Sequence, residues 1–290
     1  MLSFQSKVVL NAFFSHPQVS AMTGLPRGIC LSASMSEIVM RDYDTRISRL
    51  QGVYYYARYV DDIVVFTHRN PCYILKEMEK ILQEEVGLKF NPQKTDIVNI
   101  VTCRCKPKCK CIGNCQCLNS CQCSKKSLLL NFEFLGYKFT LQDVVNPKEP
   151  LQISLAENKV KRYKTRIIYS ILDYITNADI SLLEKRIAYL TGNHIVKNNS
   201  EGAELKAGIF YSYPYINNYK ILDDLTLFLR KAINAKEGAF GKKIGSCIKP
   251  TDYQRISKYC FRSGYLNRKE KVFSASEVRL IQRCWKYGKN

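Results

Sequence analysis

Residues 52–66 read Gly-Val-Tyr-Tyr-Tyr-Ala-Arg-Tyr-Val-Asp-Asp-Ile-Val-Val-Phe. Residues 52–60 and 63–67 are rich in Val, Ile, Tyr and Phe, and so predict two strands. Asp61 and Asp62 contradict that pattern locally, because Asp is depleted in strands and two like charges repel. A tight turn between paired strands resolves the conflict, with the acids at the tip and the flanks buried. Two carboxylates on a rigid hairpin also make a grip for Mg²⁺, a hard cation that takes oxygen ligands. A bare Asp-Asp pair is ordinarily a surface turn. Tyr59-Val60-Asp61-Asp62 inside a long apolar hairpin is a much more specific pattern.

The 290-residue chain is 46% hydrophobic, enough to bury a real core. Lys and Arg outnumber Asp and Glu by 45 to 25, a formal charge of +20. Such a charge calls for a polyanionic partner, and nucleic acid fits better than a membrane surface. No run reaches the roughly 18 to 20 apolar residues of a spanning helix, and the N-terminus has no signal-peptide core. A cytoplasmic protein is therefore expected. In that compartment the 13 cysteines predict reduced thiols or metal ligands rather than disulfides.

Working outward, Tyr59-Val60-Asp61-Asp62 resembles motif C of reverse transcriptases, the Tyr-X-Asp-Asp metal-binding hairpin. Upstream lies Gly24-Leu25-Pro26-Arg27-Gly28-Ile29-Cys30-Leu31-Ser32. Two glycines and a proline make a fixed turn, and the small and apolar residues of 31–40 predict a helix after it. A glycine-rich turn opening a helix offers free backbone N–H groups to phosphate, although an ordinary loop-to-helix junction has the same look. The segment is similar to motif B, and its Leu-Pro-Arg-Gly form with Glu37 resembles the bacterial abortive-infection and other defence-associated reverse transcriptases. Many other members carry Gln where this chain has Arg27. By that resemblance, Pro26, Arg27, Gly28 and Ser32 face the incoming nucleotide.

Downstream, Ile74, Leu75, Met78, Ile81, Leu82 and Val86 predict an amphipathic helix over 73–86, capped by Gly87. Asn91-Pro-Gln-Lys94-Thr95 and an apolar run over 97–101 follow, a predicted turn and strand. This resembles motif D, in which Lys94 meets the leaving pyrophosphate; an exposed turn lysine is the plain alternative. Residues 128–141 alternate around Phe134-Leu135-Gly136-Tyr137, the pattern of a bent hairpin. They resemble motif E, the primer grip, although a core hairpin with no nucleic-acid contact has the same pattern.

Between these segments, Cys-X-Cys pairs start at 103, 109, 115 and 121, a strict six-residue period. Cys103, Cys105, Cys109, Cys111, Cys115, Cys117, Cys121 and Cys123 supply enough thiolates for two tetrahedral Zn²⁺ ions. Usual structural zinc sites space their cysteines differently, and a tandem expansion tolerated in a surface loop accounts for the repeat equally well.

From residue 155 the chain turns helical and basic. Lys159, Lys161, Arg162, Lys164 and Arg166 flank Val160, Tyr163, Ile167 and Ile171. The apolar face predicts core, and the basic face is either solvated or set against a duplex backbone. Helices are also expected over 180–190 and 222–232. The aromatics of 208–215 predict packing more than base stacking. The Thr191-Gly192-Asn193 and Tyr211-Ser-Tyr213 patterns are similar to those that follow the palm in defence-associated reverse transcriptases.

The expected fold is α+β: a partial polymerase palm over residues 1–150, with antiparallel sheet, helices and the Cys-rich insertion 103–123, then a mostly helical basic thumb over 151–290. The resemblance implies a Mg²⁺-dependent enzyme that adds deoxynucleoside triphosphates to a primer on an RNA template and holds the DNA/RNA duplex. The family draws a further metal-binding Asp from motif A, on a strand before motif B. Here Glu37 is the first acid in the sequence. With only Asp61 and Asp62, weak metal binding and weak catalysis are expected. Three accounts are open: a reading frame truncated at an internal Met, a separate chain that supplies the fingers, or a non-catalytic nucleic-acid-binding remnant. A thiolate zinc protein on the same scaffold is a further alternative.

Overall fold

Helix α1 (Phe4–Ser15) starts at Ser3, whose side chain accepts from the Ser6 N–H, and stops ahead of Pro17, which opens the short α2 (Pro17–Ser20). The structure is a computed structural model that describes residues 3–21, 24, 30–98, 130–141, 150–197, 204–268 and 270–286. The chain divides into two units, Met1–Ile97 and Val98–Asn290.

The first unit continues with α3 (Cys30–Ser48), strands β1 (Val53–Tyr59) and β2 (Asp62–Thr67), and α4 (Pro71–Val86). Asn70 caps α4 by accepting from the Cys72 and Tyr73 N–H groups, and Gly87 ends it at φ 71°, the left-handed turn that glycine allows. The strands form an antiparallel hairpin in which Tyr56 faces Val65 and Arg58 faces Ile63. Alternation puts Tyr56, Ile63 and Val65 against the buried residues Met40, Tyr43 and Ile47 of α3 and Ile74, Met78, Ile81 and Leu82 of α4. The apolar run after Lys94 departs from expectation, because residues 95–98 carry no strand and 99–101 lie outside the described residues.

The second unit opens with β3 (Leu130–Phe134), β4 (Tyr137–Leu141) and β5 (Gln152–Leu155), an antiparallel sheet in that order. Next come α5 (Glu157–Asn177), α6 (Ile180–Thr191), β6 (Asn193–Lys197), β7 (Glu204–Gly208), α7 (Ile209–Ser212) and α8 (Lys220–Ile233). From Gly238 onward the described residues, poorly periodic in sequence, form α9 (Gly238–Cys247), α10 (Pro250–Ser257), α11 (Phe261–Asn267), β8 (Glu270–Ser274) and α12 (Ala275–Gln282). They are core-forming: Ile244, Ile256, Phe261, Tyr265, Phe273, Ile281 and Trp285 are buried with Ile167, Ile171 and Leu183. Trp285 Nε1 donates to the Arg166 carbonyl and to Ser170 Oγ on α5. The fully buried Arg186 of α6 pairs with Asp173 of α5 at 2.6 Å and donates to the Ile281 carbonyl. A second sheet, in the order β7-β6-β8, pairs β6 with β8 in parallel. The basic C-terminal region thus holds sheet as well as helix, and the fold class is α+β throughout. Among the described residues, no helix is long and apolar enough to cross a membrane.

Candidate active site

In the first unit, Tyr59 pairs with Asp62 across the hairpin, leaving Val60 and Asp61 as a two-residue loop. Only Val60 of the two has a positive φ, at 58°, as a type II′ turn requires of its first central residue. Asp61 forms the tip and Asp62 the first residue of β2, both exposed. Neither carboxylate has a hydrogen-bond or ion-pair partner among the described residues.

The turn is held from behind. Arg58 lies on the core-facing side of the hairpin with a side chain only 4% exposed. Its Nε and Nη2 donate to the two oxygens of Asp44 at 2.8 and 2.7 Å. Its Nη1 and Nη2 donate to the two oxygens of Glu37 at 3.1 and 2.7 Å. Nη1 also donates to the Val60 carbonyl at 2.9 Å. Glu37 and Asp44 are seven residues apart on α3, two turns along one face. Tyr56 completes the cluster by donating its hydroxyl to Asp44 Oδ1 at 2.6 Å. Burial alone would raise the Asp44 carboxyl, but the Arg58 and Tyr56 hydrogen bonds outweigh it and hold the group below its usual range. The Asp44 and Glu37 carboxylates in turn keep Arg58 firmly charged.

Two free, exposed carboxylates fit part of a hard-cation shell, in which Mg²⁺ keeps several waters. Among the described residues, no group of three or more His, Cys, Asp or Glu side chains is arranged to hold a metal. Lys94 is exposed and ends a single 3-10 turn, Pro92–Lys94, capped by Asn91. Ser32 lies in the first turn of α3. Pro26, Arg27 and Gly28 lie outside the described residues, as does the whole cysteine repeat from Cys103 to Cys123.

In the second unit, Phe134 and Tyr137 pair and Leu135-Gly136 form the turn. Both turn residues have positive φ, 51° and 81°, the type I′ pattern. A Cβ on Gly136 would lie 2.8 Å from Lys159 Cε and 3.3 Å from Tyr213 Cε1, so the turn sits tightly on α5 and on the segment after α7. Tyr137 packs edge-on against Tyr213 and near Tyr215. The aromatic cluster is largely packing: the Tyr265 hydroxyl, a single donor, lies within hydrogen-bond distance of the carbonyls of Tyr213, Pro214 and Ile216, nearest to Pro214 at 3.0 Å. Tyr215 is the exception, 71% exposed.

A groove of about 550 Å³ opens between the face of β4–β5 and the helices α5 and α8. Lys138, Lys161, Lys164 and Lys220 line it, together with Glu157 and Asp224. Lys138 is paired with Glu157 at 2.7 Å, and Lys164 lies over the Phe228 ring. Basic spacing along α5 pointed to Lys161 and Lys164. Lys138 and Lys220 come from a strand and another helix, so only the fold joins them. Arg58 was likewise missed, although its place two residues from Tyr56 put it on the buried parity of the strand.

No curated protein and no solved structure matches the chain significantly. Residues 5–139, just under half of the chain, match the family model of the reverse transcriptase (RNA-dependent DNA polymerase) domain.

Proposed function

We propose that the chain is the palm from motif B onward, and the thumb, of a reverse transcriptase of the bacterial defence-associated type. The observation that carries the reading is the exposed, unpartnered Asp61-Asp62 pair on a hairpin anchored to α3, within the segment that matches the family. Asp61 is the main Mg²⁺ ligand and Asp62 the secondary one. When bound, Mg²⁺ supplies the Lewis acidity that activates a primer hydroxyl and neutralises a triphosphate. Pro26, Arg27, Gly28 and Ser32 face the nucleotide, Lys94 meets the leaving pyrophosphate, and Phe134 to Tyr137 hold the primer end. The substrates are deoxynucleoside triphosphates and a primer on an RNA template, and the setting is cytoplasmic antiviral defence.

The alternative is a nucleic-acid-binding module without catalysis. It is favoured by the lack of a third carboxylate beside Asp61 and Asp62 among the described residues and by the lysine-lined groove. Primer extension on an RNA template separates the two. The 290-residue chain alone should give trace product with Mg²⁺. The chain extended through in-frame upstream codons carrying a Phe-X-X-X-Asp-type strand should polymerise, and Asp61→Ala should abolish that activity. An extended chain that binds the template-primer but never extends it supports the module. Robust extension by the 290-residue chain alone would refute the placement of motif A outside it.

A further inference from the structure

We propose that Arg58 is a positioning residue for the Asp61-Asp62 turn, holding Val60 in the left-handed conformation that presents both carboxylates to a divalent cation. The inference rests on reading that pair as the cation site.

A guanidinium has five N–H donors in a planar fork. Arg58 uses all five: two on Asp44, two on Glu37 and one on the Val60 carbonyl. The four carboxylate contacts alone would describe an ion pair that stabilises the fold. The fifth reaches the loop itself, at a β-branched residue whose φ of 58° is an outlier for that side-chain type. The hydrogen bond therefore acts where the backbone needs support. Full use of the fork has a second consequence. Arg58 has no donor left for Asp61 or Asp62, and its ion pairs go to Glu37 and Asp44 instead. Lysine offers a point charge without a fork and cannot span both carboxylates and the carbonyl at once.

The test uses the full chain and Mn²⁺ alone as the probe. Two readouts are taken by NMR: paramagnetic broadening of the Asp61 and Asp62 amides, and the amide-to-Hα coupling of Val60, which reports φ without any metal. Arg58→Lys should weaken Mn²⁺ binding at the turn at least fivefold and move the Val60 coupling out of the left-handed range. Adding Val60→Gly to Arg58→Lys should recover most of the affinity, because glycine takes a positive φ without help. A purely structural ion pair predicts no such recovery. Glu37→Gln, at a largely exposed carboxylate, removes one arm of the clamp; it should weaken binding two- to fivefold with the thermal midpoint unchanged, and tests the idea even where Arg58→Lys does not fold. Affinity within twofold of wild type in both single variants, an unmoved Val60 coupling, or no recovery in a folded double variant would overturn the proposal. Wild-type protein whose Asp61 and Asp62 amides stay sharp with Mn²⁺, while the Val60 coupling responds to Arg58→Lys, would instead sink the cation site itself and with it the reason for positioning.

Discussion

His194 gives the second unit a built-in sensitivity to acid. It sits in the middle strand β6, across from Ala207 of β7 and Lys271 of β8, and is 2% exposed. Its ring stacks on Tyr189 at 3.9 Å and meets Phe273 edge-on, and neither ring nitrogen has a hydrogen-bond partner among the described residues. Burial among rings penalises the charged form and lowers the pKa from 6.5 to about 4. The unfolded chain thus takes up a proton that the folded chain refuses. Stability is complete above about pH 6.5 and falls as pH drops toward 4, by about 2 kcal/mol at pH 5 and approaching about 3 kcal/mol below that. That is a large share of a domain stability of roughly 5–15 kcal/mol. Urea unfolding at pH 7.5 and pH 5, followed by the fluorescence of the lone tryptophan, Trp285, reads the effect directly. Trp285 is buried beside Tyr189, so its emission reports this core. His194→Phe keeps a flat ring and removes the titration. The paired carboxylates Glu157, Glu270 and Glu277 also lose stabilisation in acid, from below their ordinary range. They are common to both proteins and cancel in the difference. The variant should lose about 2 kcal/mol less than wild type between the two pH values. A difference under about 0.5 kcal/mol would refute the assignment of the slope to His194.

Reversing charge with Lys161→Glu and Lys164→Glu should weaken duplex binding whatever the sequence and flatten its salt dependence between roughly 50 and 200 mM, measured by fluorescence anisotropy; Asp61→Ala should leave binding intact or slightly tighter. Gly264→Ala should destabilise by about 3 kcal/mol or more, because the new Cβ would fall 1.9 Å from the Thr191 carbonyl oxygen, whereas Gly245→Ala, a helical site with open space around it, should stabilise by about 0.5–1 kcal/mol in the same denaturation assay. If the cysteine repeat binds metal, protein purified under reducing conditions should carry about two zinc equivalents that leave as pH falls. Replacing residues 103–123 with a short Gly-Ser turn should preserve the melting profile, since loop-closure cost changes slowly with length; zinc together with misfolding on deletion would make the cluster structural.

Local signals carried the hairpin and α4. The β-rich composition on either side of Asp61-Asp62, and the helical period and Gly87 stop of α4, are each decided within a few residues. The C-terminal fifty residues gave no such signal for a physical reason. Their helices run seven to ten residues and each contributes only one or two buried side chains, such as Ile256 of α10 or Ile281 of α12. So short a helix shows no full period, and its place is fixed by distant partners, as Trp285 is by Arg166 and Ser170. The parallel pairing of β6 with β8 joins residues more than seventy positions apart, beyond any local pattern. The Arg58 clamp was half legible: Glu37 and Asp44 share a helical face and Arg58 shares the strand parity of Tyr56, but that the two faces meet is a tertiary fact.

The hairpin tip itself shows that stability does not explain its sequence. A two-residue loop with a positive φ at its first position folds best with glycine there, and Val60 is among the residues least suited to it. Asp61 and Asp62 add two adjacent like charges with no cation paired to them among the described residues, while Arg58, three residues from Asp61, is wholly engaged by Glu37, Asp44 and the Val60 carbonyl. Each choice costs the isolated fold, the left-handed valine alone by roughly 1–2 kcal/mol. A surface turn under no demand but folding would shed these costs one substitution at a time, through a glycine at position 60 or a neutral side chain at 61. Their joint presence on a hairpin tied to α3 is the arrangement expected of a site that waits for a cation from outside the chain.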